Sequence, residues 1–346
     1  MRRFLSRVAL ISVILAIALP FALFASGTGE KAAAGGAAKY AIVFKNTGNP
    51  YGDKQMGGFK TGIEEQGFQA ILRAPDQPTA EAQIQIIEQL ISQKVVSICI
   101  VGNDFDALQP VLLKAKAAGI KVFSLDSSVN PASRLTHVNQ ADSEKIGRTL
   151  VQAAYDMAGG SGEFAILSAT SQASNQNLWI DYMKKELQDP KYANLKLVKI
   201  AYGDDLRDKS VSETEGLLSS FPNLKVIVAP TTVGIAAAGK VITDKGLVGK
   251  VLVTGLGLPS EMATYIEDGA CPYMFLWNPI DVGYLGAYTA TALVSGKITG
   301  AVGDKFKAGR LGDYTITKAP DGGTEVLLGP PFKFDKGNIE DWKSVY

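Results

Sequence analysis

The sequence predicts an α/β protein of two lobes, each built on a doubly wound parallel sheet, and three observations carry that prediction. Short apolar runs alternate with stretches of helical periodicity from Lys39 onward, the pattern of strands joined by crossover helices. The alternation breaks once, near residue 140, and starts again. At 346 residues the chain also exceeds the size at which one core usually divides into two.

In chain order, "YAIVFK" reads as a strand, residues 52–65 as a helix and "FQAILR" as a second strand. Residues 79–93 place Ile84, Ile87, Leu90 and Ile91 on one helical face, and "VVSICIV" is apolar enough for a strand covered on both sides. Leu108, Val111, Leu112 and Ala115 mark the next helix, which Gly119 closes ahead of the strand "IKVFSLD". After the strand-like "THVNQAD" come "GEFAILSA", a helix over 175–187, "LKLVKIAY", a helix over 209–220, "LKVIVAP", a helix over 232–245 and "KVLVTGLG". The short strand "PYMFLW", a helix over 280–295 and the late "TEVLLGPPFKF" are expected to return between the lobes. No short-period repeat is present, which excludes a solenoid.

The first residues stand apart. Arg2, Arg3 and Arg7 lead into "VALISVILAIALPFALFASGTG", and no charge follows until Glu30. A basic start, an apolar middle and small residues at 25–27 predict an export signal over 1–27, followed by a flexible lead over 28–38. With 35 basic and 34 acidic residues the formal net charge is +1, which argues against the electropositive face of a nucleic-acid binder. Cys99 and Cys271 lie in strand-like runs, where a disulfide and two buried free thiols both remain open.

Provision for catalysis is thin. His137 is the one histidine of the chain, so no histidine cluster exists, and a strand-borne histidine is expected to be a satisfied structural residue. Neither a phosphate-cradling glycine loop nor a nucleophile elbow occurs. No catalytic residue, metal or cofactor is therefore expected. Asp126, Asp205 and Asp281 lie on separate segments, and caps or solvated turns account for most acids so placed.

In alternating α/β folds ligands sit just beyond the carboxyl ends of the strands. Those positions hold Lys45, Asn46, Asn103, Asp104, Asp126, Ser127, Asn139 and Gln140 in the first half. In the second they hold Thr170, Asn175, Gln176, Pro230, Thr231, Thr232, Trp277 and Asn278, with Trp179 close behind. Carboxylates and amides bond in pairs to adjacent hydroxyls, and an indole face covers the C–H side of a ring, so the set suits a small polyhydroxyl ligand.

These residues lie in blocks that resemble a known family. "FKNTGNPY", "VFSLDSSV", "AILSATSQASNQNLWIDYMKKEL", "YGDDLRDKS", "VIVAPTTVGIAAAGKVI", "VTGLGLPSEM", "FLWNPIDVGY" and "FDKGNIEDW" occur in order from Tyr40 to Trp342. Together they resemble the exported sugar-binding proteins of ABC importers, in the branch that holds rhamnose-binding and autoinducer-2-binding members. The resemblance implies the type I periplasmic-binding-protein fold with three interlobe crossings, near 139–142, 277–279 and 329–331. Lobe 1 would be 39–140 plus 279–328, and lobe 2 would be 141–278 plus 329–346. It also implies a monomer in the periplasm that hands a monosaccharide to an inner-membrane permease, with no nucleic-acid partner.

In the autoinducer-2 group the resemblance places a lysine, an aspartate, an Asp-Gln pair and a Pro-x-Ala turn on the ligand. Here these positions carry Lys45, Asp126, Asn175 with Gln176, and Pro230-Thr231-Thr232. An acid is replaced by an amide, so the expected ligand is rhamnose or a similar deoxyhexose, with autoinducer-2 as the alternative. The expected ligand-binding set is Lys45, Asn46, Asn103, Asp126, Asn175, Gln176, Trp179, Pro230, Thr232, Trp277 and Asn278. Phe44, Tyr51, Trp179 or Trp277 would cover the deoxyhexose methyl group.

Overall fold

A computed structural model describes residues 37–346. The expected export signal over 1–27 lies outside these residues, as does nearly all of the lead over 28–38.

The first half runs β1 (Lys39–Val43), α1 (Pro50–Glu64), β2 (Gln69–Arg73), α2 (Ala80–Ser92), β3 (Ser97–Ile100), α3 (Gln109–Ala117), β4 (Lys121–Leu125) and β5 (His137–Asn139). The second runs α4 (Ser143–Met157), β6 (Gly162–Ser168), α5 (Ser174–Glu186), β7 (Leu195–Tyr202), α6 (Arg207–Ser220), β8 (Leu224–Ala229), α7 (Thr232–Asp244), β9 (Leu252–Gly255), α8 (Pro259–Glu267) and β10 (Tyr273–Leu276). The chain then adds α9 (Pro279–Val294), the hairpin β11 (Lys305–Lys307) and β12 (Asp313–Thr315), β13 (Thr317–Lys318) and β14 (Thr324–Leu327). It ends with β15 (Phe332–Asp335) and α10 (Ile339–Trp342).

Two sheets result. The first has strand order β13-β14-β5-β4-β3-β1-β2 and is parallel except for the edge hairpin of β13 with β14. The second, β7-β6-β8-β9, is wholly parallel. Beside it β10 and β15 pair antiparallel, and Leu256 bridges to Phe275. "TEVLLGPPFKF" thus divides: its first part is a strand of the first sheet, its last a partner of β10. We call the two sheets with their covering helices the first and second lobe. The chain passes between them after β5, after β10 and after β14.

Helices α4 and α8 were not legible in the alternation, although each has a physical start. Asp142 caps α4 by accepting from the Lys145 amide at 2.9 Å, and α8 opens on Pro259, whose missing N–H is no loss in a first turn. In the strands β1 and β3, Ala41 to Val43 and Ile98 to Ile100 are fully enclosed, as is Val101 just beyond.

Helix α1 is fixed in place by α9. A Cβ on Gly58 would lie 2.0 Å from the Ile280 carbonyl oxygen, and one on Gly283 would lie 1.8 Å from that of Gln55. Only glycine permits backbones this close. The consequence is a rigid α1, which matters because Tyr51 and Gln55 project from it.

Cys99 and Cys271 are both free and buried. Burial pushes each thiol pKa upward. His137 is also buried, its Nδ1 2.9 Å from the Ser124 hydroxyl, and burial followed by the nearby Arg134 charge pushes its pKa well below the ordinary value.

Candidate functional site

A cavity of about 400 Å³ opens between the lobes at the carboxyl ends of the strands. Its first-lobe wall is Phe44, Lys45, Asn49, Tyr51, Val101 and Asp126. Its second-lobe wall is Asn175, Gln176, Trp179, Asp205, Pro230, Thr231 and Thr232, and Leu256, Leu276 and Trp277 close it.

Asp126 follows β4 in left-handed backbone, φ 62°, a conformation Asp enters more readily than most side chains. Its Oδ2 accepts from the Tyr51 hydroxyl and, at 3.0 Å, from Gln55 Nε2. Tyr51 in turn accepts from the Trp277 indole N–H at 2.6 Å. Thus three residues of the first lobe and its boundary hold one edge of the carboxylate and leave Oδ1 for the other side. There it accepts from Asn175 Nδ2 at 2.7 Å. Burial raises the Asp126 pKa, and the Lys45 charge and these donors oppose that rise.

Lys45, just past β1, is buried and reaches across. Its Nζ donates to Asn175 Oδ1 at 3.0 Å and to Gln176 Oε1 at 3.1 Å. The Ser127 hydroxyl also donates to Asn175 Oδ1, at 3.0 Å. Burial lowers the lysine pKa, while Asp205 and then Asp126 raise it. The start of α5 is therefore gripped by first-lobe donors.

Aromatic rings line the rest. Trp179 and Trp277 meet edge to face at 5.8 Å, and Tyr51 meets Trp277 at 6.5 Å. Among the described residues, the buried Trp179 indole N–H has no hydrogen-bond partner. A buried donor left unpaired costs roughly 1–3 kcal/mol, which an acceptor reaching it would recover.

Of the residues expected from the sequence, Lys45, Asp126, Asn175, Gln176, Trp179, Pro230, Thr232 and Trp277 line this one cavity. Asn46, Asn103 and Asn278 do not. Asn103 Nδ2 donates to the Lys45 carbonyl at 2.8 Å, Asn278 Oδ1 caps α9 by accepting from the Ile280 amide at 2.9 Å, and Asn46 Nδ2 bonds the Thr47 carbonyl at 3.1 Å. Their side chains secure the loops that present the others.

Two participants escaped the sequence reading in their present roles. Tyr51 was expected only as apolar cover, whereas its hydroxyl binds Asp126. Asp205 was set aside as a cap or turn acid, yet it is buried and faces the cavity. It stands three residues past β7, so a survey of strand ends that included "LKLVKIAY" would have found it.

The profile of the periplasmic binding protein domain matches residues 40–298. An ABC transporter solute-binding protein from Clostridium phytofermentas with bound L-rhamnose is 52% identical, with a TM-score of 0.88 over 90% of this chain and 99% of that one. LsrB from Clostridium saccharobutylicum, in complex with AI-2, is 25% identical, with a TM-score of 0.83 over 88% of this chain and 99% of that one. The D-allose-binding periplasmic protein of Escherichia coli K12 is 25% identical over 263 residues, which is 72% of this chain and 82% of its own length.

Proposed function

The chain belongs to the periplasmic binding protein family, as a sugar solute-binding protein of the ABC-transporter class, and we propose that its ligand is L-rhamnose or a closely similar 6-deoxyhexose. One observation carries this reading: charged and amide groups of both lobes converge on one cavity whose remaining walls are aromatic and aliphatic. Lys45, Asp126, Asn175 and Gln176 supply donors and acceptors for adjacent hydroxyls. Val101, Leu256, Leu276 and Phe44 supply dry surface for a methyl group, worth about 0.8 kcal/mol for a buried carbon. The likeness to a protein that holds L-rhamnose at 52% identity supports the same choice.

The binding step follows from the direction of the bonds. Lys45 and Asp126 each bond the second lobe directly, and a sugar's hydroxyls replace those partners while bonding both walls at once. Ligand therefore favours the closed arrangement, because only there does it make both sets of contacts. In our reading the closed complex forms in the periplasm and is presented, as a monomer, to an inner-membrane permease.

A thermal-shift screen of L-rhamnose, D-ribose and AI-2 tests the assignment. At one hundred times its Kd a ligand adds roughly 2.7 kcal/mol of stability. L-rhamnose is expected to give the largest shift. A larger shift with AI-2 would move the ligand to the other branch, and no shift with any deoxyhexose would end the reading.

A further inference from the structure

Buried at the same cavity is an acid that no motif signalled. We propose that Asp205 is the second lobe's ligand-binding carboxylate and that it sets the site's charge preference: neutral and amino-substituted deoxyhexoses are admitted and carboxylated ones refused. The proposal rests on the sugar-binding reading above and adds the feature that discriminates among sugars by charge.

The turn after β7 sets Asp204 and Asp205 both in left-handed backbone, φ 55° and 54°. Two successive non-glycine residues in that region are uncommon, and such outliers gather at binding sites. The turn sends the two side chains apart. Asp204 pairs with Lys209 at the surface, whereas Asp205 is 8% exposed and lines the cavity. The Thr231 hydroxyl donates to its Oδ1, and among the described residues nothing donates to its Oδ2. One oxygen is fixed and one is open to a ligand.

The charge balance follows. Lys45 is the cationic member of the cavity lining, against two carboxylates, Asp126 and Asp205. Of the two, Asp205 acts more strongly on the lysine. With all three ionised the cavity carries one net negative charge, in surroundings where charges act more strongly than in water. A sugar hydroxyl or ammonium donating to Asp205 is favoured, since hydrogen bonds to an ionised acceptor are the strong ones. A carboxylated sugar meets repulsion. The acid that the family resemblance led one to expect at residue 175, where the chain has Asn, is thus supplied from a different strand end of the same lobe.

Isothermal titration of the purified protein with L-rhamnose, L-mannuronate and 6-amino-6-deoxy-L-mannose, which share one ring configuration, tests the proposal. In the wild type the uronate should bind at least a hundredfold more weakly than L-rhamnose and at least tenfold more weakly than the amine. In Asp205→Asn, L-rhamnose should weaken at least tenfold, the amine more than that, and the gap between L-rhamnose and the uronate should narrow at least tenfold. Asp204→Asn should leave all three unchanged. If Asp205→Asn does not fold, Thr231→Val keeps the charge while releasing its anchor: it should weaken L-rhamnose yet preserve refusal of the uronate. L-rhamnose binding with an unmoved ratio in Asp205→Asn, or a collapsed ratio in Thr231→Val, overturns the charge assignment alone. A wild type that binds none of the three overturns the deoxyhexose reading and the assignment with it.

Discussion

Two cavities open between the same two lobes and share Asp126 and Asn175 as walls, yet their hydrogen bonds run in different directions. The inner one, of about 400 Å³, is the site described above. The outer one, of about 850 Å³, is lined by His137, Asn139, Asp321, Glu325, Leu178 and Tyr182 among others. Polar groups of the outer cavity are mostly settled within the first lobe: Arg134 Nη2 donates to both oxygens of Asp321 at 2.8 and 2.7 Å, Asn139 Nδ2 to Glu325 Oε2 at 2.8 Å, and His137 meets Ser124. Two hydroxyl bonds cross there, from Ser174 to the Ser128 carbonyl at 2.7 Å and between the Ser127 and Ser174 hydroxyls at 3.2 Å. In the inner cavity Lys45, Asp126 and Ser127 all bond Asn175 of the opposite lobe. Bonds that cross the cleft are the ones a ligand can take over, so size and polarity alone do not distinguish a binding cavity. The larger void is the less suited of the two.

The strongest way to break this comparison is to remove the inner cavity's anchor. Asp126→Ala deletes the acceptor shared by both lobes and strands Tyr51 and Gln55. Hydrogen bonds to a charged group contribute about 1.5–3 kcal/mol each. Loss of two from the ligand is expected to weaken L-rhamnose binding by about 3 kcal/mol or more, over a hundredfold, in a calorimetric titration. Affinity within threefold of wild type would take Asp126 out of the site.

A smaller effect sharpens the contrast on the outer side. His137 is held neutral by burial, with its pKa pushed well below the ordinary value near 6.5. The unfolded chain therefore binds a proton that the folded chain does not once pH falls below about 6.5. The sign is a loss of stability on acidification, by up to about 1.4 kcal/mol per pH unit until the folded-state pKa is reached. As His137 is the only histidine in the chain, denaturant melts of wild type and His137→Asn between pH 7 and 5 isolate the effect. The difference in stability between the two proteins should shift in favour of the variant as pH falls, with L-rhamnose affinity at pH 7 nearly unchanged. A pH-independent difference would mean the imidazole takes up its proton at the same pH in the folded and the unfolded chain.

How much of this was legible beforehand depended on which signal each residue left. The two sheets were, because buried parallel strands are continuous apolar runs: "VVSICIV" and "LKVIVAP" have few other readings. Lys45, Asp126, Asn175 and Gln176 were, because each immediately follows such a run or opens the helix after it. Helix α4 was not, since its start follows the first crossing between lobes without an intervening turn signal. Asn103 and Asn278 lie off the cavity, for a strand-end amide looks the same in sequence whether it lines a cavity, bonds a neighbouring loop as Asn103 does, or caps the next helix as Asn278 does. The orientation of Asp205 was beyond reach, since it depends on two consecutive left-handed residues that nothing local to "YGDD" requires. The cross-lobe bonds of Lys45 span 130 and 131 residues of chain, and only the folded arrangement brings those atoms together.

The smallest expected effect is a null, and it bears hardest on the comparison. Leu178 lies on α5, 38% exposed and facing the outer cavity, three residues after Asn175. Leu178→Trp adds bulk to that space without touching an inner-cavity side chain that binds Lys45 or Asp126. If the outer cavity only separates paired side chains, L-rhamnose affinity should stay within twofold of wild type, and the melting temperature within a few degrees. A tenfold loss of affinity with an unchanged melting temperature would place the outer cavity on the ligand's footprint or its way in. The crossing bonds of Ser174 to Ser128 and Ser127 would then be the first contacts to re-examine, since an opening of the lobes would break them.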